Sequence, residues 1–127
     1  MKRGTITINE SGVSINPVNG TIWMTRHEIA DLFGVVISTI DANLKFIFKS
    51  EVLREPDVCH THRYVGKNGM ECQIPVYNLE VITALSYRFK SKNAKIFREW
   101  INKKMVETTS KMRTSIVVHC QDKLYFC

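Results

Sequence analysis

Apolar and polar residues alternate at two places near the N-terminus, Ile6-Thr7-Ile8-Asn9 and Val13-Ser14-Ile15-Asn16, on either side of Glu10-Ser11-Gly12. A period of two sends successive side chains to opposite faces of a strand, so this pattern predicts a β-hairpin. Pro17-Val18-Asn19-Gly20 reads as a second turn, and Thr21–Met24 as a third short strand. The period then changes. Thr25 followed by Glu28 makes a capping box, in which each side chain takes an amide N–H at the start of a helix. Ile29, Ala30, Leu32 and Phe33 form the apolar face, and Gly34 ends the helix where a left-handed residue is needed.

A second helix is predicted from about Ile37 to Lys49. Ile40, Leu44, Ile47 and Phe48 recur at i, i+4, i+7 and i+8 as one buried stripe. Ser38, Asp41, Ala42 and Lys45 fall on the opposite side, with Phe46 exposed on the flank. Pro56 ends this region. Residues 58 to 65 and 70 to 77 are β-like runs around Gly66-Lys67-Asn68-Gly69, and Asn-Gly is a strong hairpin signal. Pro75 predicts that the returning strand lies at a sheet edge, because proline cannot donate to a ladder. Asn78 caps a third helix whose apolar residues are Leu79, Val81, Ile82, Leu85 and Phe89. Ser91 caps a fourth, running to about Thr108. Ala94, Ile96, Phe97, Trp100, Ile101 and Met105 occupy one half of its wheel, and Lys92, Lys95, Arg98, Glu99, Asn102 and Lys103 the other. Trp23 and Trp100 are expected to anchor the core.

The predicted fold is α+β: a winged helix-turn-helix-like domain with an N-terminal β-hairpin and two C-terminal helices. It spans residues 1–109, and a C-terminal tail, truncated or atypical, spans 110–127. A helix ending in Gly, a short turn and a second helix laid across the first make a helix-turn-helix. Ala30 supplies the small residue where the helices approach. The hairpin after the second helix would be the wing, with His60, His62, Arg63 and Lys67 giving it positive and hydrogen-bonding character. Two details weaken base reading at the corner. Residues 25 to 49 balance Arg26, Lys45 and Lys49 against Glu28, Asp31 and Asp41. Val36 and Ile37 cannot hydrogen-bond a base edge, although either could touch a thymine methyl.

The charge distribution adds to this. The 127 residues, 44% hydrophobic and 24% charged, suit one globular domain with a net charge of +6. Residues 1 to 87 carry 8 Lys/Arg against 9 Asp/Glu, whereas residues 88 to 113 carry 9 basic residues against Glu99 and Glu107. A basic segment of this kind attracts polyanions, of which nucleic acid is the commonest inside cells. MKRGTITINE has no apolar run of a secretory signal, and no stretch nears the ~20 apolar residues of a membrane span. A soluble, cytoplasmic protein is expected, with Cys59, Cys72, Cys120 and Cys127 as free thiols.

Several motifs carry a family resemblance. They are the W-x-T before the first helix, A-x-L-F-G-V, the V-C opening the wing, Y-N-L, Y-R and the late F-R-x-W. Over about residues 20 to 106 they resemble, in order, the N-terminal region of the RhuM family of bacterial virulence-associated proteins. F-R-x-W also resembles BRO-type phage antirepressor domains. The resemblance implies a DNA-binding protein. The family pattern at the corner is G-V-S followed by Arg/Gln-type residues, from which Val36 and Ile37 depart. Family members are also longer, and the tail resembles nothing in them.

The resulting expectation is a regulator that binds double-stranded DNA as a homodimer. Ser38, Thr39, Asp41, Ala42 and Lys45 would approach the major groove. His62, Arg63, Lys67, Lys92, Lys95, Arg98 and Lys103 would hold the backbone, mainly its phosphates. The alternative is a protein-interaction module with an apolar patch at Val36 and Ile37. Cys59, His60, His62 and Cys72 invite a zinc reading, but only Cys59 and His62 have ligand-pair spacing, and neighbours on a strand diverge. Hydrolase chemistry rests on that cluster alone, and His27 and His119 read as surface residues. No catalytic residue, metal, cofactor or small-molecule substrate is expected.

Overall fold

The computed structural model of the chain describes residues 3–111. Strands β1 (Thr5–Asn9) and β2 (Gly12–Asn16) form the expected antiparallel hairpin, with Ile6 opposite Ile15 and Ile8 opposite Val13. Strand β3 (Trp23–Thr25) leads into α1 (Arg26–Phe33), and α2 (Ile37–Lys49) follows. A single turn, α3 (Glu55–Val58), carries Pro56 in its first turn and precedes β4 (Cys59–Val65) and β5 (Glu71–Asn78). Helices α4 (Leu79–Ser86) and α5 (Lys92–Lys111) complete the described residues. The expected tail lies outside the described residues from position 112 onward, with Cys120, Cys127 and His119.

Caps set the helix boundaries as the sequence predicts. The Thr25 hydroxyl accepts the Glu28 N–H at 3.1 Å, and the Glu28 carboxylate accepts the Thr25 N–H at 2.8 Å. Gly34 takes φ 66, where an L side chain would be strained, and lets α2 turn away from α1. Asn78 accepts the Val81 N–H, and Ser91 accepts that of Ala94. The α3 turn was not predicted. Pro56 suits the first turn of a helix, whose orphan N–H it lacks.

The larger sheet is antiparallel, in the order β3-β5-β4. Strand β3 therefore leaves the N-terminal hairpin and pairs with β5, Met24 opposite Tyr77 and Thr25 opposite Val76. The edge expected from Pro75 is corrected: β5 is the central strand. However, β3 covers only Val76 to Asn78, so from Glu71 to Pro75 one side of β5 is open, which is where a proline is tolerated in a ladder.

Helices α1, α2, α4 and α5 bury Ile29, Phe33, Ile40, Leu44, Ile47, Val81, Ile82, Leu85 and Phe97 in one core. Phe33 is its hinge, with ring centroids 5.8 Å from Phe89 and 5.6 Å from Phe97. Met24 and Tyr77 close the core from the sheet side. Trp23 does not anchor it. Register places Trp23 with His60 and Val76 on the other sheet face, where its ring lies tilted 4.3 Å from that of His60. Trp100 is only half-buried, 6.1 Å from Phe97. Met105 is a further correction: it is 63% exposed, because α5 outruns the body it packs on.

Candidate nucleic-acid interface

The corner begins with α1 and α2 crossing at Gly34, with Ala30 buried between them. Arg26, the first residue of α1, donates to the Asp41 carboxylate of α2 at 2.6 Å. The hydrogen bond and charge of Asp41 hold the Arg26 guanidinium above its ordinary pKa. Asp41 therefore faces a cation on its own chain, not open solvent as the sequence suggested. Beneath this corner Tyr77 packs on Phe48, ring centroids 6.2 Å apart. Burial first, and then the charges of Cys59 and Glu55, push the Tyr77 phenol up to about 12. Burial and Glu55 push the Cys59 thiol up as well.

The outward face of α2 carries Ser38, Ala42, Lys45 and Lys49, all exposed at i, i+4, i+7 and i+11. Thr39 is half-buried, and its carbonyl accepts from the Asn43 amide at 2.8 Å. At the head of the helix Val36 is the N-cap, 66% exposed and without a capping side chain. Ile37 is half-buried. Along the flank, Arg88 reaches over from the α4–α5 turn. Its Nε donates to Asn43 Oδ1, and its guanidinium carbon sits 4.0 Å from the centre of the Phe46 ring. Phe46 remains 49% exposed beneath it. Arg88 was missed as a site residue in the sequence, where its signals were its place at the head of the basic segment and in the Y-R motif.

The remaining candidates divide. Lys95 and Arg98 share a surface cleft with Arg88 and Lys90 beside that turn. Arg98 is also a brace: its Nη1 donates to the carbonyls of Ser86 and Phe89, the latter at 2.7 Å, and so closes the end of α4. Lys92 reaches Glu10 at the tip of the N-terminal hairpin, 3.2 Å away, and Lys103 stands on the part of α5 that outruns the body. On the wing, Arg63 and Lys67 are exposed. His62 is half-buried, its ring parallel to Tyr64 at 6.2 Å and its Nδ1 buried without a hydrogen-bond partner.

Comparison with protein-family models, with curated proteins and with solved structures gives no match.

The Cys/His cluster is split by the sheet. Register puts His60, His62 and Cys72 on one face and Cys59 on the other, where it packs toward the core. Among the described residues no three His, Cys, Asp or Glu side chains gather as metal ligands, and Cys59 and Cys72 are free thiols. Among the same residues no helix is long and apolar enough to cross a membrane.

Proposed function

We propose that the chain is a winged helix-turn-helix protein that binds double-stranded DNA as a regulator, chiefly through phosphates. The topology supports this reading. A strand, two helices joined at a left-handed Gly, and a hairpin whose return strand pairs with the first strand make the frame that presents a helix and a wing on one module. One observation carries it: the exposed row Ser38, Ala42, Lys45 and Lys49 runs beside Arg88, which joins the basic segment to α2 through Asn43 and Phe46. The uncapped N–H groups behind Val36 suit a phosphate oxygen at the helix N-terminus. The RhuM resemblance implies the same activity. In this reading Arg63 and Lys67 take backbone from the wing, and Arg88, Lys90 and Lys95 take it from the other side.

The test is fluorescence anisotropy with a labelled duplex over a series of salt concentrations. Binding should weaken linearly in log–log form, by about 0.9 in slope for each phosphate neutralised. Lys45→Ala, Lys67→Ala and Lys95→Ala should each lower that slope by about 1, whatever the duplex sequence. Absence of association at low salt overturns the reading.

A second reading is favoured by Val36, which is apolar and 66% exposed at the tip of the corner. There α2 would dock another protein, and the basic residues would serve solubility. Val36→Lys separates the two: affinity for DNA holds or rises if the tip meets phosphate, whereas a protein complex comes apart.

A further inference from the structure

Between the α4–α5 turn and the first turns of α5 lies a cleft of about 550 Å³, within the range of small-ligand sites. Its charged lining is Arg88, Lys90, Lys95 and Arg98 against Glu99 alone, a balance of +3. Among the described residues none of these five side chains makes an ion pair, whereas Arg3, Arg26, Lys92 and Lys104 each have a carboxylate. Both arginines of the cleft are fixed by neutral partners instead. Arg88 donates through Nε to Asn43, and Arg98 through Nη1 to the carbonyls of Ser86 and Phe89. The remaining guanidinium N–H groups of both have no acceptor among the described residues. Guanidinium groups held in place with donors left over match the oxygens of a phosphate. An aromatic ring lies in the same cleft. Tyr87 is 54% exposed, and its hydroxyl donates to Asn102 Oδ1 at 3.2 Å, which pins the ring across to α5. A pinned, uncovered ring beside phosphate-binding groups is a platform for a base, since every base has a π-face.

We propose that this cleft binds a nucleoside triphosphate, with its phosphates on Arg88, Lys90, Lys95 and Arg98 and its base on Tyr87. Charge density separates this ligand from duplex DNA. A duplex spreads single charges along its backbone and keeps its bases stacked inside. A triphosphate brings several charges to one point, which suits four unpaired cations in one cleft, and its base is free to stack on Tyr87. Arg88, Lys90 and Lys95 also belong to the DNA reading, so nucleotide and duplex exclude each other at these residues. The nucleotide would thereby regulate DNA binding, a consequence that rests on that reading. Binding of the nucleotide itself does not.

The experiment is isothermal titration calorimetry of the full chain at low salt, without DNA, using ATP, inorganic triphosphate and adenosine. Stacking tolerates any base, so ATP serves as the probe. ATP should bind more tightly than triphosphate, and adenosine should give no binding. Lys90→Glu and Lys95→Glu should each weaken ATP by about tenfold or more, as loss of a charged hydrogen bond does. Both side chains are exposed, so circular dichroism should be unchanged; Arg98 is kept because it braces the end of α4. Tyr87→Ala should weaken ATP by about tenfold and leave triphosphate unaffected. Arg54→Glu makes the same charge change at an exposed residue outside the cleft and should leave ATP binding unchanged. No binding at millimolar ATP overturns the inference. So does ATP binding that Arg54→Glu weakens as much as Lys90→Glu, because net charge is then the cause. Equal affinity for ATP and triphosphate, indifferent to Tyr87→Ala, overturns it too. Each of these failures leaves the DNA reading standing, because the assay contains no DNA, and failure of duplex binding leaves the titration unaffected.

Discussion

Arg26 and Asp41 tie the two helices of the corner together, guanidinium to carboxylate at 2.6 Å across the α1–α2 junction. The pair has a direct consequence for the outward face of α2. Both side chains are partly exposed, at 40% and 42%, so the bond orients the helices more than it stabilises them. It also cancels the one acidic group of α2 that DNA would otherwise meet.

Asp41→Asn should therefore leave thermal stability nearly unchanged while tightening association with duplex DNA at low salt, because Arg26 becomes free for phosphate. Anisotropy titrations in parallel with thermal melts check this. Weaker binding to duplexes rich in cytosine would mean instead that the carboxylate accepts from a base edge.

Arg88 should matter both to the fold and to binding. Its removal uncovers Phe46 and leaves Asn43 without its donor, so Arg88→Ala should cost about 1 kcal/mol in denaturant unfolding. DNA affinity should fall as well. Arg88→Lys should recover charge-dependent binding but not the stability, since an ammonium lacks the planar fork that spans ring and amide.

The capping box of α1 makes stability depend on acid. Burial raises the Glu28 carboxyl, but hydrogen bonds from Arg3 and Thr25 and the charge of Arg3 outweigh it and hold the group below its ordinary 4.5. A depressed carboxylate contributes stability that is full above that ordinary value and is lost as pH falls below it. Glu28→Gln should therefore flatten the stability profile in that acid window. Thr25→Ala should cost about 1 kcal/mol across the whole range. Urea unfolding at several pH values distinguishes the two.

Tyr77 supplies an alkaline counterpart. A phenol held protonated to about 12 contributes stability below its ordinary 10.0, and this is lost as pH rises between the two. Spectrophotometric titration should show one tyrosine ionising late, and Tyr77→Phe should remove that step. A late step that persists in Tyr77→Phe would assign it to another ring.

Local chemistry made much of this protein legible from its sequence. Thr25 and Glu28, Gly34, Asn78 and Ser91 act within a few residues of themselves, so the helix starts and the corner follow from nearest neighbours. The buried residues Ile40, Leu44 and Ile47 follow from period alone. What depended on distant partners was hidden. Pro75 sits in a central strand only because β3 stops short of it, and Trp23 lies outside the core only because its strand pairs with β5. Arg98 is drawn to carbonyls at the end of α4, and Asp41 to Arg26, so charge counted along the chain overstated what faces outward. Met105 fits the helical period but has nothing to pack on, since the period names a face and the tertiary structure alone decides what covers it.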